Sequence, residues 1–187
     1  MLSSPSERIP AQGPPPPWLS ALQAIGPERA LPEVWKAVEG CLREEDHWLA
    51  RLTNVTAALR RAMPDLFSVG VYLTGHPGSH LWLGPSQGPP MPSRVEWGEG
   101  VVGSSALERA VQIIADTRRF HGYRPPYPDM ASEIALPLVR NRIVMGVLAA
   151  SAPVAGRFGV VEAELLQGVA ERLERAWPEA WWTGIPF

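Results

Sequence analysis

Four histidines, one cysteine and one glycine-rich stretch are the places where chemistry could reside in this 187-residue chain. His76 and His80 stand four residues apart, but Pro77-Gly78 between them precludes the helix that would bring both imidazoles to one ion. No metal and no other cofactor is therefore expected. Gly98-Glu-Gly100-Val-Val-Gly103 has glycines at the spacing of dinucleotide-binding loops, yet it follows only the short run Arg94–Trp97 and no repeated βαβ pattern surrounds it. It reads as a tight turn into a small helix, with backbone N–H groups that could still face an anion. Ser104 and Ser105 are accounted for by capping that helix, so no Ser-His-Asp arrangement is argued from them. Cys41 is the sole cysteine, which excludes an intrachain disulfide, a dithiol cycle and a multi-cysteine zinc site. It shares a stripe with Val34, Val38 and Leu42, the setting of a buried structural thiol rather than a reactive one.

The elements that position these residues follow from period and punctuation. Apolar residues recur at helical spacing over most of 32–62, with a possible break near Gly40, and the pattern stops at Met63-Pro64. Short β-rich runs follow at Ser68–Leu73, His80–Leu83, Val111–Asp116, Glu133–Val139 and Ile143–Ala150, with turns at His76-Pro77-Gly78 and Arg140-Asn141. A last helix spans about Val160 to Trp177 and is stopped by Pro178. Strands flanked by helices imply an α+β layered domain over 29–177. Residues 1–28, with Pro14 to Pro17 at their centre, read as a proline-rich arm. Residues 178–187 form a tail in which Trp181, Trp182 and Phe187, with Trp177 before them, are too apolar to stand in water. They are expected to fold back on the body or onto a second chain. Trp35 and Trp48 belong to the helical repeats and to the core. Charge is close to balanced, at 17 basic and 19 acidic residues, so neither nucleic acid nor an anionic membrane is an expected partner. No signal-peptide core and no long apolar stretch is visible, and a cytoplasmic, soluble protein is expected.

Leu83-Gly-Pro-Ser-Gln-Gly-Pro-Pro90, Arg94, Gly98-x-Gly100-Val-x-Gly103, Ala115-Asp116, Phe120, Gly122, Ser132-Glu133-Ile134, Pro137, Gly146-Val-Leu148 and Pro153 together resemble the GAF-domain family. Within it the chain is most similar to the free methionine-(R)-sulfoxide reductases, over roughly residues 31–177. The resemblance implies a central antiparallel sheet, helices from both chain ends on one face, and loops plus a short helix on the other. Those reductases carry cysteines in three active-site loops, and the corresponding positions here are Pro92, Val102 and Pro126. A thiolate must attack sulfur and a second thiol must resolve the product, and neither proline nor valine can do so. The resemblance also places Glu133 among the carboxylates that hold the free amino acid. The aspartates expected near it are Ala149 and Ser151, an expected tryptophan is Ser68, and Tyr72 is kept. Residues Arg118 to Asp129 correspond to a lid, stiffened here by Pro125, Pro126 and Pro128.

The resulting expectation is a non-catalytic GAF-like module that binds an unidentified small molecule or mediates dimerisation and signalling. Ligand-binding candidates are Tyr72, Glu133, Ser151, Tyr123 and Tyr127. Glu133 has two readings, a ligand acceptor or one half of an ion pair with Arg94 or another arginine. A homodimer is expected, and a protein partner would carry any signal onward. Two alternatives stand beside this. One is a structural or interaction protein working through its arm and tail. The other is an enzyme of altered chemistry, for which Glu133, His121 and the tyrosines are the acid–base groups. A GAF domain holding a tetrapyrrole is a weaker alternative, since Cys41 lies in the wrong segment.

Overall fold

Val34, Ala37, Val38, Cys41 and Leu42 lie on one face of helix α1, Leu31–Arg43, and all are buried. The computed structural model describes residues 31–43, 47–75 and 79–178. α1 continues through Gly40 to Arg43, so no break falls at that glycine. A glycine inside a helix costs about 1 kcal/mol, less than the burial of Val38 and Cys41 on either side of it returns. The second helix, α2, runs over Trp48–Ala62, and His47 caps it by accepting the Leu49 N–H at 3.4 Å.

Six strands follow: β1 (Ser68–Thr74), β2 (His80–Gln87), β3 (Arg94–Glu96), β4 (Gln112–Ile114), β5 (Ser132–Arg140) and β6 (Ile143–Ala152). They form one antiparallel sheet in the order β3-β2-β1-β6-β5-β4. Two further helices, α3 (Gly100–Glu108) and α4 (Val160–Ala176), complete the α+β architecture. Side chains alternate across the strands. Val69, Val71 and Leu73 of β1, Ile134, Leu136 and Leu138 of β5, and Leu148 and Ala150 of β6 pack against α1, α2 and α4. Tyr72, Ala135, Val147 and Ala149 point the other way and meet Val101, Val102 and Ala106 of α3. Both faces are covered, which is why every residue of β1 is buried.

The β5–β6 hairpin turns at Asn141 and Arg142, whose φ angles of 51° and 66° with Arg140 opposite Ile143 give the left-handed two-residue connection that matches strand twist. The entry to α3 differs from the sequence expectation. The helix starts at Gly100, and Ser104 and Ser105 lie inside it and are buried instead of capping it. Glycines make the entry instead. Gly98 has φ +87° and donates its N–H to the Gly103 carbonyl at 2.8 Å, and a Cβ on Gly103 would fall 2.2 Å from the Glu96 carbonyl oxygen. Ser105 uses its hydroxyl to tie α3 to the sheet, through the Ala135 carbonyl at 3.3 Å.

α4 begins with Glu162 reaching back to accept the Gly159 N–H at 3.1 Å, and it ends at Trp177. Trp177 is buried edge-on against Trp48, with ring centroids 5.1 Å apart. The proline-rich arm, the turn at His76-Pro77-Gly78 and residues 179–187 lie outside the described residues. No helix among the described residues is long and apolar enough to cross a membrane.

Candidate functional site

Glu133 is the second residue of β5, on the sheet face away from α1, α2 and α4, and it is only 3% exposed. Of the two readings the sequence allowed, an ion pair with Arg94 is not what forms: Arg94 pairs with Glu96 at 2.8 Å. The Tyr123 hydroxyl donates to Glu133 Oε2 at 2.9 Å instead. Burial pushes the Glu133 carboxyl up to about 7, and the Tyr123 bond pulls weakly the other way. Tyr72 and Tyr123 are both driven far above the ordinary tyrosine range, first by burial and second by the charge of Glu133. Near neutral pH the two phenols are protonated donors, while the carboxyl between them sits close to its midpoint.

These three side chains line a cavity of about 480 Å³. Its floor is the sheet. One wall is the first turn of α3, at Gly100, Val101 and Val102, and the roof is the segment carrying Gly122, Tyr123, Arg124 and Pro126. Gly100 makes that closure possible, because its φ is +58° and a Cβ there would lie 2.7 Å from Tyr123 Cε2. Pro92, Val102 and Pro126 come from three separate segments and all face the cavity. Arg124 is the one lining residue with a positive charge on the roof. It has no ion-pair partner among the described residues.

The Tyr72 hydroxyl also has no hydrogen-bond partner among the described residues, although the residue is 4% exposed. Tyr72 lines the cavity, so this hydroxyl is available to an acceptor that enters it. A groove of about 520 Å³ on the helical side, walled by Trp35 and Arg172, is slightly larger. Two of its polar groups are engaged within the fold: Arg172 with Glu39 at 2.9 Å, and the Trp35 indole with the Leu165 carbonyl at 3.2 Å.

Residues 50–177 match the family model described as GAF domain. The chain belongs to the GAF domain family. Among its relatives, the free methionine-R-sulfoxide reductase of Escherichia coli is 34% identical over 131 residues, covering 70% of this chain and 78% of the reductase. Protein YtsP of Bacillus subtilis is 32% identical over 141 residues, covering 75% of this chain and 86% of YtsP. The reduced form of fRMsr of Staphylococcus aureus superposes with a TM-score of 0.75 at 30% identity, over 79% of this chain and 95% of that one. This GAF domain is therefore related to the free methionine-R-sulfoxide reductases.

Of the five residues singled out from the sequence, the fold brings Tyr72, Tyr123 and Glu133 together in one cavity and leaves two outside it. Ser151 lies in a tight cleft beside the cavity, where its hydroxyl and that of Ser68 hydrogen-bond at 2.7 Å. The two residues that stand in place of an expected aspartate and tryptophan thus satisfy each other. Tyr127 turns outward, donates to the Pro90 carbonyl, and packs its ring 5.2 Å from that of Phe67. His121 is exposed on the roof segment and does not line the cavity. Cys41 is buried among α1, α2 and α4, on the opposite side of the sheet. The sequence reading placed Arg124 in the lid and Gly98–Gly103 in a tight turn into a small helix, but named neither Arg124 nor the first turn of α3 among the site residues.

Proposed function

We propose that this GAF domain binds a small molecule in the Tyr72–Tyr123–Glu133 cavity and does not reduce sulfoxides. The observation that carries the reading is the composition of the cavity wall. Where the family resemblance puts three cysteines, the wall presents Pro92, Val102 and Pro126, and the chain's one thiol is buried in the other layer. Sulfoxide reduction by thiols needs a thiolate at the substrate sulfur, and no side chain in this cavity supplies one. What the cavity offers is recognition: an apolar wall, an unpaired phenol, a buried carboxyl and a roof cation.

The test is a thermal-shift and native mass spectrometry screen of the purified protein, run in parallel with Val102→Trp, which fills the cavity. A ligand that raises the melting temperature of the wild type and not of the filled variant supports the reading. Ligands that act equally on both would overturn it. A dimer or a protein partner as the output of binding is favoured by a separate observation. Val154, Val160 and Val161, around the start of α4, are 62%, 74% and 57% exposed. Native mass spectra that show only monomer at every concentration, with and without ligand, would refute the dimeric form of that output.

A further inference from the structure

Glu133 is a deeply buried carboxylate, and no cation is among the groups that set its protonation. In such a position an organic ammonium ion would be the natural counterpart, with the Tyr72 and Tyr123 rings beside it. The seat is taken. The Tyr123 hydroxyl, a neutral donor, holds Oε2 at 2.9 Å.

Tyr123 does not belong to the sheet. It sits in the segment between the short turn Thr117–Arg119 and β5, which covers the cavity, and its ring rests on Gly100 with Phe120 edge-on at 6.0 Å. At the other end of the same segment Tyr127 bonds the Pro90 carbonyl and meets Phe67. Two tyrosines thus strap the segment across the cavity mouth, the outer one to the loop after β2 and the inner one to the cavity floor. Between them Arg124 and Pro126 face inward.

We infer that Tyr123 is a specificity-determining residue: its hydroxyl occupies the ammonium seat at Glu133, excludes amine-bearing ligands, and leaves Tyr72 to receive the acceptor of an uncharged ligand. The inference rests on the ligand-binding reading above. An amine that takes Oε2 must displace a hydrogen bond that is already made, and must move a ring packed against the α3 backbone. An uncharged ligand with one acceptor needs neither change. It meets the free Tyr72 hydroxyl on one side and Val95, Val101 and Val102 on the other.

The test uses n-butylammonium and n-butanol as probes of equal body, titrated at pH 8 into the full-length protein and into Tyr123→Phe, with amide shifts of Glu133 and Val102 as the readout. Removing the hydroxyl should tighten n-butylammonium binding by at least about tenfold, the scale of one charge-assisted hydrogen bond, and leave n-butanol unchanged. Adding Glu133→Gln to Tyr123→Phe should abolish the gain. Tyr123→Leu, which vacates the seat and the ring position together, should show the same preference for the amine and guards against a local repacking artefact. Equal amine affinity in wild type and Tyr123→Phe, absence of binding in both included, overturns the inference, as does a gain that survives Glu133→Gln. A wild-type cavity that takes no uncharged ligand counts against the ligand-binding reading instead, and the amine titration still judges Tyr123.

Discussion

Replacing Glu133 by glutamine should make the domain more stable as the pH rises, relative to wild type. Burial lifts the carboxyl from 4.5 to about 7, so over that interval the folded protein holds a proton that the unfolded chain has released. Stability from this group is complete below about pH 4.5 and is lost as the pH climbs through 7. At about 1.4 kcal/mol per pH unit, the loss amounts to about 3 kcal/mol for a side chain that is 3% exposed and little screened by solvent. Glutamine fills the same volume and still accepts the Tyr123 hydroxyl, but it has no proton to lose. The assay is urea unfolding of wild type and Glu133→Gln in half-unit steps from pH 4.5 to 8.5, taken as the difference so that all other titrations cancel. The difference should rise by about 3 kcal/mol in favour of the variant, which for a domain of this size is roughly 6–12 °C in melting temperature. A difference that stays flat across the range would refute the claim that Glu133 is buried without a compensating cation.

Three further outcomes follow from the packing. Gly103→Ala should be far more damaging than an ordinary helix substitution, because its Cβ meets backbone, the Glu96 oxygen at 2.2 Å, and cannot be relieved by a side-chain rotation. A loss of more than about 2 kcal/mol in urea unfolding is expected. Ser68→Ala should cost about 1–3 kcal/mol by stranding the Ser151 hydroxyl, and the Ser68→Ala/Ser151→Ala double variant should recover part of that loss. Trp177→Ala should cost about 3–5 kcal/mol, and a double-mutant cycle with Trp48→Ala should yield a coupling of about 0.5–1.5 kcal/mol for their edge-on contact.

The layered α+β fold was legible because its signals are local and periodic. The alternation Val69-x-Val71-x-Leu73 in β1 and Ile134-x-Leu136-x-Leu138 in β5 announces two faces, and both faces exist. No break forms at Gly40, because a glycine is a weak interruption when its neighbours are buried. The serine cap of α3 was misplaced because the glycine entry at Gly98 and Gly100 already ends the preceding chain, and Ser105 bonds the sheet instead. At the site, Glu133, Tyr72 and Tyr123 were each legible as residue types. Their shared pocket came from the family resemblance, and the direct Tyr123–Glu133 bond was not legible, since it spans an irregular segment with no period to follow. The Ser68–Ser151 pair lies 83 residues apart and has no sequence signature at all. It is visible only once β1 and β6 are in register.

The central claim is that this relative of the free methionine-R-sulfoxide reductases has a cavity for recognition and no thiol chemistry within it. The most direct measurement is the amount of methionine released per chain when the fully reduced protein is mixed with free methionine-(R)-sulfoxide, without added reductant. None above buffer is expected, with Cys41 still titrating as a thiol after denaturation. One equivalent of methionine per chain, with Cys41 oxidised, would contradict it.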